Sequence, residues 1–463
     1  MSVSDGTIFA LSSGAGRAGI AVLRLSGAGA HAAIGALAGT PLPEPRRAVL
    51  RPFRDPQSRE VLDRGLLLWF PGPGSYTGED MAELHLHGGR AVATGLIEAL
   101  AALPGLRPAE PGEFTRRACA NGRLDLTEAE GVADLIAAET AAQRRQALRQ
   151  LDGALGGLYE GWRARLIETE ALLEAAIDFS DQEVPEDVTE GVYPKIEGLS
   201  QEITQHLADD RRGERLREGF EIAILGPPNA GKSSLLNRLA ERDAAIVAPS
   251  AGTTRDVIEV RLDLGGYPVI LADTAGLRED AEGIEEEGRR RALERARRAD
   301  LKLVVFDGTS WPELDGAARR LLDRDSIAVL NKRDLKAIEA PGTLVSGDLG
   351  ASAVYGLSCV TGEGFEELLG GLEKAIEVRF APGVTPALTR ARHRAALEDC
   401  VAALGRYLET EGGAAGGGAA GGGAVELMAE DLRLAARALG RITGRVDVED
   451  ILDLVFRDFC IGK

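Results

Sequence analysis

A glycine-rich loop near the middle of the chain constrains the fold more strongly than any other segment. Residues 220–225 form an apolar run, G-P-P-N-A-G-K-S follows at 226–233, and leucines at helical spacing come next. A strand, a glycine-rich loop and a helix in this order surround an anion with backbone amides at the positive end of the helix. The segment predicts a parallel-sheet α/β domain that binds phosphate groups.

The residue types in this loop suit a nucleoside triphosphate and a metal ion. Lys232 supplies positive charge to the β- and γ-phosphate oxygens, and the Ser233 hydroxyl is a ligand for Mg²⁺. The chain contains 58 glycines, so the motif alone is only suggestive. The predicted phosphate contacts are Asn229, Ala230, Gly231, Lys232, Ser233 and Ser234.

Two further segments offer contacts to the metal and the γ-phosphate. Residues 268–272 predict a strand that ends in D-T-A-G, where Asp273 can reach Mg²⁺ through water and Gly276 can face the γ-phosphate. T-T-R-D at 253–256 offers Thr254 to Mg²⁺ and the γ-phosphate. These segments add six predicted contacts, which are Thr253, Thr254, Asp273, Thr274, Ala275 and Gly276.

The base is selected by a motif that follows another buried-strand candidate at 327–330. In N-K-R-D, the carboxylate of Asp334 can accept from both N1–H and the exocyclic amine of guanine, whereas adenine lacks that amine. The segment L-S-C at 357–359 stands where a backbone amide would meet guanine O6. The predicted base contacts are Asn331, Lys332, Asp334, Ser358 and Cys359. Five such elements in order predict a GTP-hydrolysing domain.

The residue that orients the attacking water is less evident. After D-T-A-G come Leu277 and Arg278, where Ras-like enzymes carry a glutamine. Asn229 could hold a monovalent cation near the phosphates in place of an arginine finger. The nearby carboxylates that could act on water are Glu282, Glu285, Glu286 and Glu287, although any one of them taken alone is more typical of a solvated surface.

Charge and hydropathy limit the other functions of the chain. The net charge of −19 opposes non-specific attraction to nucleic acid, so a polyanion must meet a local basic patch or a partner. The arginines between 289 and 298 could form such a patch, but alternation with Glu294 favours a solvated helix face. Residues 1–10 lack a secretion signal, and no apolar run is long enough to span a membrane. We therefore expect a cytoplasmic protein without a membrane partner.

The texture of the sequence changes along its length. The first 120 residues mix short apolar runs, such as 20–25 and 66–70, with turns, which predicts α+β structure. Helical spacing follows, with Thr127 and Glu130 as a capping box, continues to about 218 and returns beyond 389. The Gly/Ala tract at 411–424 predicts a flexible loop between helices.

These motifs together with several others resemble one family, the tRNA-modification GTPases called MnmE or TrmE. The resemblance rests on G-R-A-G-I-A-V-L-R-L-S-G at 16–27, F-P-G-P-G-S-Y-T-G-E-D at 70–80, H-G-G at 87–89, P-G-E-F-T-R-R-A at 111–118, N-G-R-L-D-L-T-E-A-E at 121–130 and C-I-G-K at 460–463. It covers essentially the whole chain and departs mainly in the Gly/Ala tract.

The resemblance implies a multidomain α/β protein. Residues 1–119 would form an α+β, dimerising, folate-binding domain. An all-α helical domain would be built from 120–218 and 379–463, with a Ras-like P-loop GTPase domain inserted at 219–378. An inserted domain needs only neighbouring termini, which agrees with helical sequence on both flanks.

The resemblance also implies a reaction and its participants. Such proteins are homodimers that form a heterotetramer with a flavin-containing MnmG-like partner, and FAD is bound only by that partner. Together they place a carboxymethylaminomethyl or aminomethyl group on the wobble uridine of tRNA. A tetrahydrofolate derivative, in the 5,10-methylene or 5-formyl form, supplies the one-carbon unit, while GTP, Mg²⁺ and K⁺ serve the GTPase domain.

Several site residues follow from the resemblance alone. Arg24, Glu79 and Arg123 would bind folate with Lys463 at the edge of that site, although the family more often has lysine at position 123. Cys460 would take part in the modification, and a small buried hydrophobic role is an equal alternative.

In the GTPase domain the resemblance assigns the cation and the water. Asn229 and Thr253, with the carbonyls of Ala248 and Ser250, would bind K⁺, and Glu285 would orient water. For His85 and His87 we expect a role in a turn or in folding rather than in catalysis.

Two other functions stay open from the residues. A ribosome- or RNA-associated regulatory GTPase would share the switch motifs but would not require the N-terminal motifs or C-I-G-K. A stand-alone folate enzyme would act without any partner protein. Folate binding distinguishes the first alternative, and activity without a partner distinguishes the second.

Overall fold

The computed structural model describes most of the chain and resolves it into two compact units. One unit contains Met1–Ala133, Gln150–Gln201 and Ala396–Lys463, and the other contains Asp134–Arg149 and Glu202–Ala395. The described residues are 6–14, 16–178, 192–241, 259–273, 294, 297–336, 349–380, 386–414, 422–446, 452, 455–456, 459 and 461–462. The four domain ranges expected from the sequence stay a prediction.

The chain begins with alternating strands and helices. Their bounds are β1 (Thr7–Leu11), β2 (Ala18–Ser26), α1 (Ala30–Ala38), β3 (Val49–Arg54), β4 (Val61–Phe70), β5 (Met81–Gly88), α2 (Arg90–Ala101), β6 (Leu106–Pro108) and α3 (Glu113–Ala120). The strands form one sheet in the order β3-β4-β5-β2-β1-β6, antiparallel except between β1 and β6. The predicted apolar runs 20–25 and 66–70 lie within β2 and β4, which confirms the α+β interpretation of this part.

Helices α1 and α2 cover the sheet because its strands alternate in burial. Leu23 and Leu25 on β2 point into the core, where Ile34 of α1 and Leu96 of α2 are also fully buried. Such alternation is the pattern of a sheet with one face packed against helices.

A series of helices follows. Their bounds are α4 (Leu126–Ala137), α5 (Ala141–Leu151), α6 (Ala154–Asp178), α7 (Val192–Leu207) and α8 (Arg212–Glu218). The expected capping box on Thr127 and Glu130 is wrong, since both residues are buried within α4. Asp125 caps the helix instead: its carboxylate accepts from the Glu128 amide at 2.8 Å, and the Glu128 carboxylate accepts from the Asp125 amide at 2.7 Å.

The next segment forms a second sheet. Its elements are β7 (Phe220–Leu225), α9 (Lys232–Ala240), β8 (Glu259–Leu264), β9 (Tyr267–Asp273), β10 (Leu301–Asp307), α10 (Gly316–Arg319), β11 (Ser326–Asn331), β12 (Ala353–Gly356) and α11 (Phe365–Arg379). The strand order is β12-β11-β10-β7-β9-β8, parallel except for the antiparallel edge strand β8. The strands predicted at 220–225, 268–272 and 327–330 are confirmed.

The register of this sheet brings the ends of the strands that precede the nucleotide-binding motifs to one edge. Ile224 pairs with Asp273, Leu225 with Val304, and Asp307 with Asn331. The carboxyl ends of β7, β9, β10 and β11 therefore align. In open parallel sheets, ligands bind at such an edge, next to the strand where the direction of chain progression reverses. That strand is β7, because β9 lies on one side of it and β10 on the other.

Two long helices close the described part of the chain. They are α12 (Ala391–Ala414) and α13 (Gly422–Thr443), and α13 packs against α6. The predicted flexible loop at 411–424 is wrong for 411–414 and 422–424, which are helical, and the rest of the prediction, at 415–421, lies outside the described residues. Extending an existing helix through small residues costs less than starting one. Within the described residues, no helix combines the length and apolar character needed to cross a membrane.

Candidate functional site

The loop between β7 and α9 has a backbone that depends on glycine. Gly226 and Gly231 have φ angles of 140° and 100°, and a side chain on them would collide with the Val305 carbonyl and the Asn331 side-chain amide respectively. Asn229 adopts a left-handed φ of 61°. The Lys232 ammonium donates to the Pro227 carbonyl at 2.9 Å, across the base of the loop. The loop is thus closed into a concave turn at the N-terminus of α9.

One side chain joins this loop to the segment predicted to contact the base. The Asn331 amide donates to the Ala230 carbonyl at 2.9 Å, and its oxygen accepts from the Cys359 amide at 3.0 Å. Asn331 is 3% exposed, so both hydrogen bonds form away from water. The structure therefore brings together Ala230, Asn331 and Cys359, which sequence reasoning had assigned to three separate motifs.

Lys332 is held by a residue that the sequence analysis missed. The Lys332 ammonium donates to the Asp307 carboxylate at 2.7 Å, and Lys332 has a left-handed φ of 66°. Burial opposes ionisation of Asp307, but hydrogen bonds from Lys332 and Thr309 outweigh it and lower the pKa of Asp307. The signal available was its position at the end of the apolar run 301–307. Asp334 lies next to this pair with an exposed side chain.

The predicted base segment 358–359 is shaped by its own hydroxyl. The buried Ser358 hydroxyl accepts from the Val360 amide at 3.2 Å and the Thr361 amide at 3.1 Å. Cys359 is half-buried, and burial raises the pKa of its thiol to about 11, which keeps it protonated at neutral pH. Arg238 of α9, also missed by sequence reasoning, donates to the Cys359 carbonyl at 2.9 Å.

The remaining predicted nucleotide and metal contacts are only partly described. Ser233 and Ser234 are exposed in the first turn of α9, and the backbone of Asp273 ends β9. The predicted residues outside the described part are Ala248, Ser250, Thr253, Thr254, Thr274, Ala275, Gly276 and Glu285.

The N-terminal candidate residues lie around the segment 75–79. Arg24 donates to the Glu83 carboxylate at 3.0 and 2.8 Å, and its guanidinium lies 5.7 Å from the centre of the Tyr76 ring and 5.8 Å from that of Phe114. The charge of Arg24 is thus already paired and stacked on aromatic faces.

Glu79 lies at the end of a buried chain of charges. Its carboxylate accepts from the Ser26 hydroxyl at 2.7 Å and from Arg117 at 3.1 Å. Arg117, 3% exposed, also pairs with Glu113 at 2.9 Å. Burial opposes ionisation of Glu113, but hydrogen bonds from Arg107, the Glu110 amide and Arg117 lower its pKa. Sequence reasoning missed Glu113 and Arg117, whose i,i+4 spacing on a helix was the available signal.

Arg123 and the C-terminus approach the same domain. Arg123 is exposed, with its aliphatic carbons against Gly78. Cys460 and Lys463 lie outside the described residues, but between them Ile461 pairs with Pro111 and the Gly462 carbonyl accepts from the Ser12 hydroxyl at 2.9 Å.

His85 and His87 each contact a carboxylate within the N-terminal sheet. His87 joins Asp63 through its ring nitrogen at 2.8 Å and through its amide at 2.8 Å. His85 Nε2 lies 3.5 Å from the Glu83 carboxylate. The His87 contact links β5 to β4, whereas His85 and Glu83 both lie on β5.

The fold and the site define a class of protein. A parallel sheet with a glycine-rich loop after β7, a base-selecting N-K-R-D after β11 and a bridging asparagine form a P-loop GTPase domain. This domain is combined with an α+β N-terminal domain and a helical domain.

Comparison with known proteins narrows the class. The profile described as the TrmE N-terminus of a GTP-binding protein matches residues 7–123, and the MnmE helical domain matches residues 126–460. "tRNA modification GTPase MnmE" of Paramagnetospirillum magneticum is 59% identical over 99% of both chains. The mitochondrial "5-taurinomethyluridine-[tRNA] synthase subunit GTPB3" of Danio rerio is 50% identical, over 99% of this chain and 93% of its own.

Among solved structures, the G domain of the T. maritima FeoB iron transporter is 28% identical with a TM-score of 0.26, over 35% of this chain and 99% of its own.

The chain belongs to the MnmE family of tRNA modification GTPases and is a GTP-hydrolysing enzyme.

Proposed function

We propose that this chain is a K⁺-activated GTPase that, with a flavin-containing partner, catalyses the tetrahydrofolate-dependent carboxymethylaminomethyl or aminomethyl modification of the wobble uridine in tRNA. The names of the relatives support the tRNA substrate, and the zebrafish name specifies a modified uridine. The observation that carries the GTPase part is the Asn331 bridge between the phosphate loop and the base segment.

The shape of the phosphate loop suits the phosphate groups of GTP. Its two glycines let the backbone close where a side chain would collide, and the amides of residues 229–234 then face the phosphates. Lys232 would exchange its bond to the Pro227 carbonyl for the β- and γ-phosphate oxygens. Asp334 would accept from guanine while Lys332, fixed on Asp307, holds the turn.

Two metal ions would be held by the phosphate loop together with residues from the segments 248–254 and 273–276. Ser233 and Thr254 would ligate Mg²⁺, with Asp273 reaching it through water. A second cation would be bound by Asn229 and Thr253 and by the backbone carbonyls of Ala248 and Ser250.

That second set of residues would hold K⁺. Within the described residues the Asn229 side chain is exposed and makes no hydrogen bond, so its oxygen is available as a ligand. A K⁺ held by these residues would supply positive charge near the phosphates, the role of an arginine finger in other systems. Glu285 would orient the attacking water, since Leu277 and Arg278 follow D-T-A-G where Ras-like enzymes have glutamine.

The N-terminal residues would bind the folate. Glu79 would accept from the N–H groups of the pterin, and Arg117 and Ser26 hold its carboxylate in place. Arg24, Arg123 and Lys463 would offer positive charge to the glutamyl tail. Cys460 would act in the modification itself.

Assembly completes the proposal. The chain would form a homodimer that joins an MnmG-like flavoprotein, which alone carries FAD, in a heterotetramer. With a net charge of −19, the chain would meet tRNA through a local surface or through the partner. GTP hydrolysis would then change the conformation of the dimer and so set the timing of the tRNA reaction.

We expect GTP hydrolysis at fixed ionic strength to be at least about tenfold faster in K⁺ than in Na⁺, because a well-placed cation stabilises the developing charge by more than 1.4 kcal/mol. Asn229→Ala should lose the difference between the two cations, and Glu285→Ala should be slow in both. Glu282→Ala serves as the matched control and should keep the K⁺ response. Equal rates in Na⁺ and K⁺ for the unmodified chain would contradict the cation mechanism.

A further inference from the structure

We propose that Arg238 is a positioning residue for guanine recognition, which fastens the segment 358–362 to the helix that holds the phosphates. The proposal deepens the proposed function and rests on the reading of guanine O6 by that segment. Arg238 belongs to no nucleotide-binding motif, because the P-loop motif ends at the beginning of α9.

The guanidinium of Arg238 contacts two backbone carbonyls of the segment and one aromatic ring. Its Nη1 donates to the Cys359 carbonyl at 2.9 Å and lies 3.4 Å from the Val360 carbonyl. Its carbon is 5.5 Å from the centre of the Phe365 ring. Gly362 makes this approach possible, because a side chain there would collide with the guanidinium.

Cys359 is consequently held on both sides of its backbone. Asn331 accepts from its amide at 3.0 Å and Arg238 donates to its carbonyl at 2.9 Å. Arg238 and Lys232 lie on the same helix, so the element that holds the phosphates also sets the position of the segment that meets the base. Within the described residues Arg238 has no ion-pair partner, which leaves the guanidinium committed to these carbonyls and the ring.

The geometry uses properties that only arginine has. A planar guanidinium can stack on Phe365 while it donates to backbone carbonyls, whereas a lysine ammonium has a single, strongly hydrated donor group. Loss of Arg238 should therefore loosen the segment without altering the phosphate loop, and the energetic effect should fall on the base contact.

The test measures the Kd of the full-length protein for three diphosphates. GDP carries O6 and the 2-amino group, IDP carries O6 alone, and 2-aminopurine riboside diphosphate carries the amino group alone. Since a hydrogen bond to a charged group is worth about tenfold in affinity, Arg238→Gln should weaken GDP and IDP by about tenfold each. Binding of 2-aminopurine riboside diphosphate should change much less. Arg238→Lys should also weaken binding of GDP and IDP, but by less than Arg238→Gln does.

Arg324→Gln is the matched control, because Arg324 is 94% exposed in the same unit. It should leave all three constants unchanged. Equal weakening of the three diphosphates by Arg238→Gln, or no weakening, would overturn the proposal while leaving base reading by segment 358–359 intact. If the unmodified protein binds 2-aminopurine riboside diphosphate as tightly as GDP, the base reading itself fails, and the proposal fails with it.

Discussion

At the scale of single residues, buried polar side chains control how the molecule responds to pH. His206 is 5% exposed, and the titratable groups that act on it are Asp209, His393 and Arg394. Burial, with smaller contributions from Arg394 and His393, lowers the pKa of His206 from 6.5 to about 4, although the carboxylate of Asp209 acts to raise it. His206 is therefore folded in its neutral form.

We expect the stability of this unit to fall as the pH drops from 6.5 towards 4, because the unfolded chain binds a proton on His206 that the folded chain excludes. The loss reaches about 3 kcal/mol at the lower end. His206→Gln should flatten the dependence of Tm on pH in this interval. His31→Gln, whose side chain is exposed, is the control. An unchanged slope in His206→Gln would show that other groups cause the acid sensitivity.

At the scale of elements, one carboxylate joins the two connections that lead into and out of the nucleotide-binding sheet. Asp134 of α4 accepts from Arg217 at 3.0 Å, at the end of α8 just before β7. It also accepts from Arg390 at 2.7 Å, just before α12. The side chain of Asp134 is 14% exposed, so these two guanidiniums offset part of the cost of burying its charge.

Asp134→Ala should lower the free energy of unfolding of this unit by roughly 3 kcal/mol, because it removes the carboxylate that the guanidiniums of Arg217 and Arg390 share. Urea denaturation followed by circular dichroism measures the change. Asp152→Ala, an aspartate outside this cluster, is the comparison and should have little effect. A change below about 1 kcal/mol in Asp134→Ala would place the pair among weak surface ion pairs.

At the scale of the whole molecule, the nucleotide-binding residues and the N-terminal candidate residues belong to different compact units. The last described residues return to the N-terminal domain, where Ile461 pairs with Pro111. The proposed modification site would thus be built from both ends of the chain, and its ligand can be tested apart from GTP.

Glu79→Gln should weaken binding of 5-formyltetrahydrofolate to the full-length protein by about tenfold or more, because a charged acceptor is lost. Affinity for GDP should stay the same. Isothermal titration of both ligands gives the result, with the exposed Glu60→Gln as control. If the unmodified protein does not bind the folate, the assignment of folate binding to the N-terminal domain is wrong.

The sequence by itself determined the strands at 220–225, 268–272 and 327–330, the phosphate loop and the order of the motifs. These depend on neighbours within a few residues: an apolar run and a glycine-rich turn are legible in 220–233, and N-K-R-D follows its strand directly. The resemblance to a family could be recognised at both termini as well, because each of its motifs is a contiguous segment of the sequence.

Only the tertiary structure decided which side chains meet. Asn331 reaches Ala230 across 101 positions, and Arg238 reaches Cys359 across 121. Asp125, rather than Thr127, caps α4, since cap choice depends on where the chain turns into the helix. Residues distant in sequence are brought together by packing of the sheet and its helices, and no local pattern encodes those distances.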